Sequence, residues 1–313
     1  MKNFFEAPPP FETASMVEKE KTPRPSIRLE FFRHDEKEKK NEGQDDETVR
    51  LTPRGRRQAN EAGFLQDPHW EVGMIYGSPK ERSQETAYRH LFAYETRITE
   101  QMSLEEIKQV IDHELAKEFF PGRTQKEIIT EKLSFYWDKD SVLGRELYEH
   151  DASKDALIYL WKSSDRRVRE LLDQKTTSYS RAAGNIAELV QKYVRIFPHW
   201  EKIVKKDPEK YKKFKNEFQR FFGSHQTFIE CFLLKVIEKV EGSLAVEDFI
   251  NRFPDKNGFG FSEGFTVQIK DTEGEKPDLC IHFHEQEWNI PISILDEIIK
   301  ERDELNQFVN NIK

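Results

Sequence analysis

Short apolar runs alternate along this chain with longer stretches whose apolar residues recur at helical spacing, and that alternation constrains the fold more than any single residue does. Strands separated by helices predict a mostly parallel sheet covered on both faces, because a right-handed crossover returns each strand beside an earlier one. The first run, Ile27 to Phe32, reads as a strand. Thr52 as N-cap and Pro53 at the first helical position open a helix to about Leu65. A strand at Val72 to Tyr76 follows, then a helix for which Ser78, Pro79 and Glu81 form a capping-box start. Ser103 and Glu106 repeat that signature ahead of Leu104, Ile107, Ile111 and Leu115, with a stop at Pro121-Gly122.

The middle third is helical in its spacing, through Leu157, Leu160, Trp161 and Val168, and again through Ala183, Ile186, Val190 and Tyr193. Arg220 to Gly223 predicts a short strand ending at Ser224-His225, before a long helix through Ile229, Phe232, Leu233 and Val236. Gly264 to Ile269 and Leu279 to Phe283 flank a turn-rich segment and read as a hairpin. A helix from about Ile294 to Val309 closes the chain.

At 313 residues with 36% apolar content, the chain can bury a sizeable core. Residues 1 to 26, with Pro8-Pro9-Pro10, Pro23 and Pro25, are expected to form a disordered tail. Residues 27 to 313 then make one α/β domain. Charged residues reach 35% and the formal net charge is −8, which argues against nucleic-acid binding and leaves room for a small basic pocket. Cys231 and Cys280 cannot build a disulfide framework, and no stretch has the length of a membrane span or a signal core. A cytoplasmic protein with no membrane partner is expected, its oligomeric state open.

Ligands in parallel sheets bind beyond the carboxyl ends of the strands. Arg33-His34, Arg82 and His225 each follow a different strand at that edge. Two arginines and two histidines there suit a phosphoryl group, since guanidinium forks match its oxygens and helix N-termini add donors. A second Arg-His pair, Arg89-His90, falls in mid-helix. Cys280, His282 and His284 alternate along one strand and would share a face, but a packed strand edge explains them better than a metal site. No P-loop or dinucleotide glycine fingerprint is present.

These residues resemble the histidine phosphatase superfamily, also called phosphoglycerate-mutase-like. Phe32-Arg33-His34-Asp35-Glu36 is similar to its Arg-His-Gly-Glu motif, and Leu51-Thr52-Pro53-Arg54-Gly55-Arg56-Arg57-Gln58-Ala59 to its Leu-Thr-x-x-Gly-x-x-Gln-Ala helix. Ser78-Pro79-Lys80-Glu81-Arg82-Ser83-Gln84-Glu85-Thr86-Ala87 is similar to Ser-Pro-x-x-Arg-x-x-x-Thr-Ala, and Ser224-His225 to its Ser-His-Gly segment. The resemblance implies a three-layer α/β/α sandwich with a helical subdomain inserted at about 124–215, where Arg181 is a candidate to reach the substrate.

It also implies a metal-independent phosphomonoesterase. His34 would be the nucleophile, Arg33 and Arg82 would hold phosphoryl oxygens, and His225 would donate to the transferring group. No cofactor is needed, and the substrate would be a small phosphorylated molecule or a phosphoprotein. Asp35 and Gln226 replace glycines of the motifs. The general acid has two candidates: Glu100 in Ile98-Thr99-Glu100, matching the family's Leu-x-Glu after the next strand, or Glu118, were that strand at Val110 to Phe120. A non-catalytic phosphate-binding or scaffolding member, and a phosphomutase, are the alternatives.

Overall fold

Two rows of large side chains on opposite faces of one sheet organise the chain. In this computed structural model, which describes residues 23–112, 127–254, 256–271 and 277–311, seven strands form a sheet in the order β3-β2-β4-β1-β5-β6-β7. They are β1 (Ser26–Arg33), β2 (Met74–Gly77), β3 (Glu127–Ile129), β4 (Glu217–Ser224), β5 (Gly264–Lys270), β6 (Asp278–Phe283) and β7 (Gln286–Ile290). The first four pair in parallel, and β5, β6 and β7 extend the sheet antiparallel from β1. The expected hairpin is present, with β7 as a further strand beyond it.

Successive residues of a strand point to opposite faces. Phe31, Tyr76 and Phe222 accordingly join one apolar cluster, while their neighbours Phe32, Ile75 and Phe221 join another. On the first face Tyr76, Phe222, Phe31 and Phe265 stack in a row across β2, β4, β1 and β5, with successive ring centroids 4.6, 4.3 and 5.2 Å apart. The Tyr179–Lys206 and Phe228–Glu241 helices and the N-terminal part of the Ser293–Asn311 helix cover it. On the second face lie α2 (Glu81–Leu91) and α3 (Leu104–Val110). Helix α1 (Pro53–Leu65) packs beside α2. This is the three-layer sandwich.

Local signals account for several helix starts. Thr52 Oγ1 accepts from Gly55 N at 2.9 Å, as expected of an N-cap. Both hydrogen bonds of the Ser103/Glu106 capping box are made. The capping box expected at Ser78 is not: α2 begins after Lys80 with no side-chain cap. Ser78 Oγ instead lies 2.8 Å from His225 Nε2 and 2.7 Å from Ser83 Oγ.

The helical stretch expected as an insertion at about 124–215 supplies part of the main core: among the described residues, Ala182, Ala183, Ile186, Val190 and Tyr193 belong to the same cluster as Ile27, Leu29 and Phe31. The expected tail falls largely outside the described residues, yet its last part is tied down. Asn216 Nδ2 donates to Pro23 O at 2.6 Å and Asp271 N to Pro25 O at 3.2 Å. No helix among the described residues is long and apolar enough to cross a membrane.

Phe222 is fully buried in the middle of the aromatic row. Truncating it should remove apolar contacts and leave a cavity. Phe222→Ala is expected to lower folding stability by about 3–5 kcal/mol, read as a lower urea midpoint at unchanged slope.

Candidate active site

Strand register brings the distant motifs together. Arg33 pairs with Ser224 and Gly77 with Gly223, so His34, Ser78 and His225 leave three neighbouring strands at one carboxyl edge. His34 N donates to Ser224 O at 3.0 Å, extending that edge by one residue. A Cβ at Gly223 would stand 2.0 Å from Ser83 O, so only glycine lets the first turn of α2 lie this close to β4. That approach carries Arg82 to the site.

His34 is buried, and both ring nitrogens have partners. Nδ1 lies 2.7 Å from Asp35 O, a carbonyl that can only accept, so Nδ1 bears the proton. Nε2 faces Arg82 Nε at 3.2 Å and must accept. The imidazole is thus neutral with its Nε2 lone pair on the side of Arg82. Burial first, then the Arg82 charge, hold its pKa well below the ordinary histidine value.

His225 stands edge-on to His34 with ring centroids 5.3 Å apart. Burial, then Lys80, His34 and Arg82, likewise push its pKa well down. Arg82 turns its outer nitrogens to Asp46, Nη1 to the backbone oxygen at 2.7 Å and Nη2 to Oδ2 at 3.0 Å. Lys80 Nζ reaches the same Oδ2 at 2.7 Å. Thr86 completes its motif's role: its Oγ1 accepts from Asp35 N at 3.2 Å and donates to Arg82 O at 3.0 Å.

Arg33 stands apart. Its Nη1 donates to Phe259 O at 2.7 Å, and its guanidinium lies 4.4 Å above the Phe261 ring. It borders the His34 cavity, of about 580 Å³, and a second cavity of about 850 Å³ lined by Phe249, Phe253 and Phe283. The replaced glycines meet the same loop. Gln226 Nε2 donates to Phe259 O at 3.1 Å, and Asp35 Oδ2 accepts from Ser262, whose Oγ lies 3.0 Å from His90 Nε2. Gly258 opens this loop at φ +108°, and Glu230 Oε1 accepts from Phe259 N at 2.6 Å.

Of the two expected acids, Glu100 does not line this cavity. It is half-buried and pairs with Arg57 at 3.4 Å, because the chain after α2 turns back along the α1 side before α3 begins. Glu118 lies outside the described residues. Glu131 lines the cavity instead, with Ser134, Phe135, Tyr136 and Trp137. It follows β3, which pairs with β2, in the turn Glu131–Leu133, and Ser134 Oγ donates to its Oε2 at 2.9 Å. The signal for it was a second Ile-Thr-Glu, at 129–131.

Arg181 is also displaced from its expected role. It is buried, donating to Thr176 O and Asp173 O at 2.7 Å each, and so fixes a helix start. Arg89-His90 lies inside α2, with Arg89 Nη2 3.0 Å from Glu85 Oε1. His284 sits in the β6–β7 turn against Glu263, off the face shared by Cys280 and His282. Among the described residues, the group with metal-ligand spacing is Cys280, His282 and Glu287, whose ligand atoms lie within 4.8 Å of one another, far from His34 on the edge hairpin.

The histidine phosphatase superfamily (branch 1) matches residues 29–127. That segment belongs to this superfamily. The match runs from β1 to the start of β3, so it contains His34, Thr52 and Arg82, while Glu131 and His225 follow it. Among solved structures, the chain is similar to a mycobacterial glucosyl-3-phosphoglycerate phosphatase, at 16% identity over 85% of this chain and 100% of that one, TM-score 0.41. It is also similar to a phosphoglycerate mutase from Bacillus anthracis, at 13% over 88% and 98%, TM-score 0.39. A phosphoserine phosphatase from Entamoeba histolytica gives 15% over 81% and 94%, TM-score 0.39. No curated protein matches the chain.

Asp35, where the superfamily motif carries glycine, titrates unusually. Burial pushes its carboxyl up to about 7 from an ordinary 3.8. The folded chain therefore binds a proton here that the unfolded chain has released, and the stability this confers is lost as pH rises through 7. Asp35→Asn removes the dependence. The stability of wild type minus that of Asp35→Asn, from urea unfolding, should fall between about pH 4 and 7 by at most about 1.4 kcal/mol per pH unit; a flat or rising difference would count against it.

Proposed function

We propose that the chain is a phosphomonoesterase working through a phosphohistidine on His34. The observation that carries this reading is the pair of bonds on the imidazole: Nδ1 donating to Asp35 O and Nε2 accepting from Arg82 Nε. A neutral ring held with its lone pair beside a guanidinium is a nucleophile poised next to an anion site.

In the proposed reaction, His34 Nε2 attacks phosphorus and the bond to the ester oxygen breaks. Glu131 protonates the departing alkoxide, and its carboxylate then takes a proton from the water that cleaves the phosphorus–nitrogen bond. Arg82 and Lys80 neutralise the phosphoryl oxygens, joined by Arg33 at the cavity's rim. His225, oriented by Ser78, donates to the transferring group in its protonated form, which the arriving dianion favours. The scheme calls for no metal. Two free, buried thiols, Cys231 and Cys280, are in keeping with a reducing, cytoplasmic setting.

His34→Ala is expected to abolish turnover of p-nitrophenyl phosphate, and quenched wild type to carry an acid-labile phosphoryl group; turnover retained by that variant would overturn the mechanism. Glu131→Gln should lower kcat/KM for alkyl phosphates by about 10²–10⁴-fold and for p-nitrophenyl phosphate far less, because kcat/KM reports the steps up to phosphoryl transfer, in which a nitrophenolate leaves without a proton. An equal loss on both would remove Glu131 from the acid role.

A further inference from the structure

The cations beside His34 already hold an anion, and it belongs to the chain. Asp46 accepts from Arg82 through both its backbone oxygen and Oδ2, at 2.7 and 3.0 Å. Lys80 Nζ stands 2.7 Å from the same Oδ2, and Lys37 Nζ stands 3.8 Å from Oδ1. The same guanidinium thus bridges the nucleophile and a carboxylate, with Nε on His34 and its outer nitrogens on Asp46.

The segment carrying Asp46 is built to return to this spot. It is pinched at its base, where Glu38 N donates to Arg50 O at 2.9 Å and Lys37 bridges Leu51. Thr52 adds to the pinch by donating to Glu36 Oε2 at 2.9 Å. At the far end Asp45 caps a single turn, Asp46–Thr48, none of whose residues is buried. The turn itself buries no apolar side chain; Val49, its C-cap, is fully buried beside it, and the charge contacts hold Asp46. Burial alone would raise the Asp46 carboxyl, but hydrogen bonding to Lys80 and the Arg82 and Lys80 charges keep it well below the usual carboxylate range.

We propose that Asp46 is an autoinhibitory residue, an internal occupant of the phosphoryl pocket that a ligand must displace. This rests on the phosphoryl-site reading above. A tethered carboxylate competes at an effective concentration in the millimolar range or higher, without losing translational freedom on binding. A singly charged ligand, such as a phosphodiester or carboxylate, exchanges one negative charge for another and gains nothing from the three cations. A phosphomonoester dianion brings a second charge and three oxygens, and displaces Asp46 at a net gain. The cost of displacing Asp46 is the same for every ligand, so Asp46 lowers all affinities by one factor: a dianion still binds at a net gain, and a monoanion is left with none.

Calorimetric titration of the full chain with inorganic phosphate and with dimethyl phosphate tests this. Asp46→Asn should bind inorganic phosphate about tenfold more tightly than wild type, and dimethyl phosphate should tighten by a similar factor. A second measurement needs no variant: saturating phosphate should speed hydrogen exchange at the Asp46–Thr48 amides of wild type. Phosphate bound by wild type but no more tightly by Asp46→Asn, or greater protection of that turn on binding, overturns the role of Asp46 alone. Absence of phosphate binding in both proteins overturns the phosphoryl-site reading with it.

Discussion

The parallel pairing of β1 with β4 is the interaction on which the rest of the structure depends. Its register places Arg33 opposite Ser224, and β2 joins β4 with Gly77 opposite Gly223. A slip of one residue would send every side chain of a strand to the other face. Phe31 and Phe222 would then leave the aromatic row, Phe32 and Phe221 would leave the opposite core, and His34 would lose its place beside Ser224. Packing on two faces and the geometry at the strand ends are therefore set by the same ladder. Large apolar side chains on both faces make that register costly to change.

Much of this was legible because the sequence states it twice. Thr52 is marked as a cap by its position before Pro53, and it also grips Glu36 beyond the His34 turn. Arg82 was placed in a first turn by a capping box that does not form, yet it arrives there because Ser78 and Gly223 fix where α2 starts. Ser78 was misread for a physical reason: a serine before a helix caps it only when no better partner is near, and here His225 and Ser83 are within reach. That competition involves residues distant in sequence and leaves no local trace. The cavity's carboxylate was hard to read for a similar reason. Ile98-Thr99-Glu100 and Ile129-Thr130-Glu131 carry the same pattern, and only pairing of β3 with β2 brings the second to the cavity edge.

The two replaced glycines show what a motif departure requires. Gln226 and Asp35 both reach the Phe259–Ser262 loop, one through a backbone oxygen and the other through a hydroxyl. Arg33 bonds the same Phe259 oxygen. A side chain where a motif prefers glycine is tolerated when its polar end finds a partner, since a buried polar group left unpaired costs more than the space it fills. The partners come from the segment leading into β5, itself held by Glu230. The departures thus share one wall of the site, where Arg33 lies at the boundary between two cavities.

Electrostatics within the site divide into neutral groups and paired ones. His34 and His225 are buried among Arg82, Lys80 and Lys37, and a fourth and fifth positive charge there would face both desolvation and repulsion. Neutral imidazoles avoid that cost while keeping lone pairs available. The cations cannot neutralise themselves so easily, because a guanidinium stays charged at any physiological pH. They attract an anion, and among the described residues Asp46 is the carboxylate paired with all three. A site arranged this way has part of its positive charge offset before a ligand arrives. Binding strength is then a difference between two anions on the same cations, and a ligand gains only what it offers them beyond Asp46.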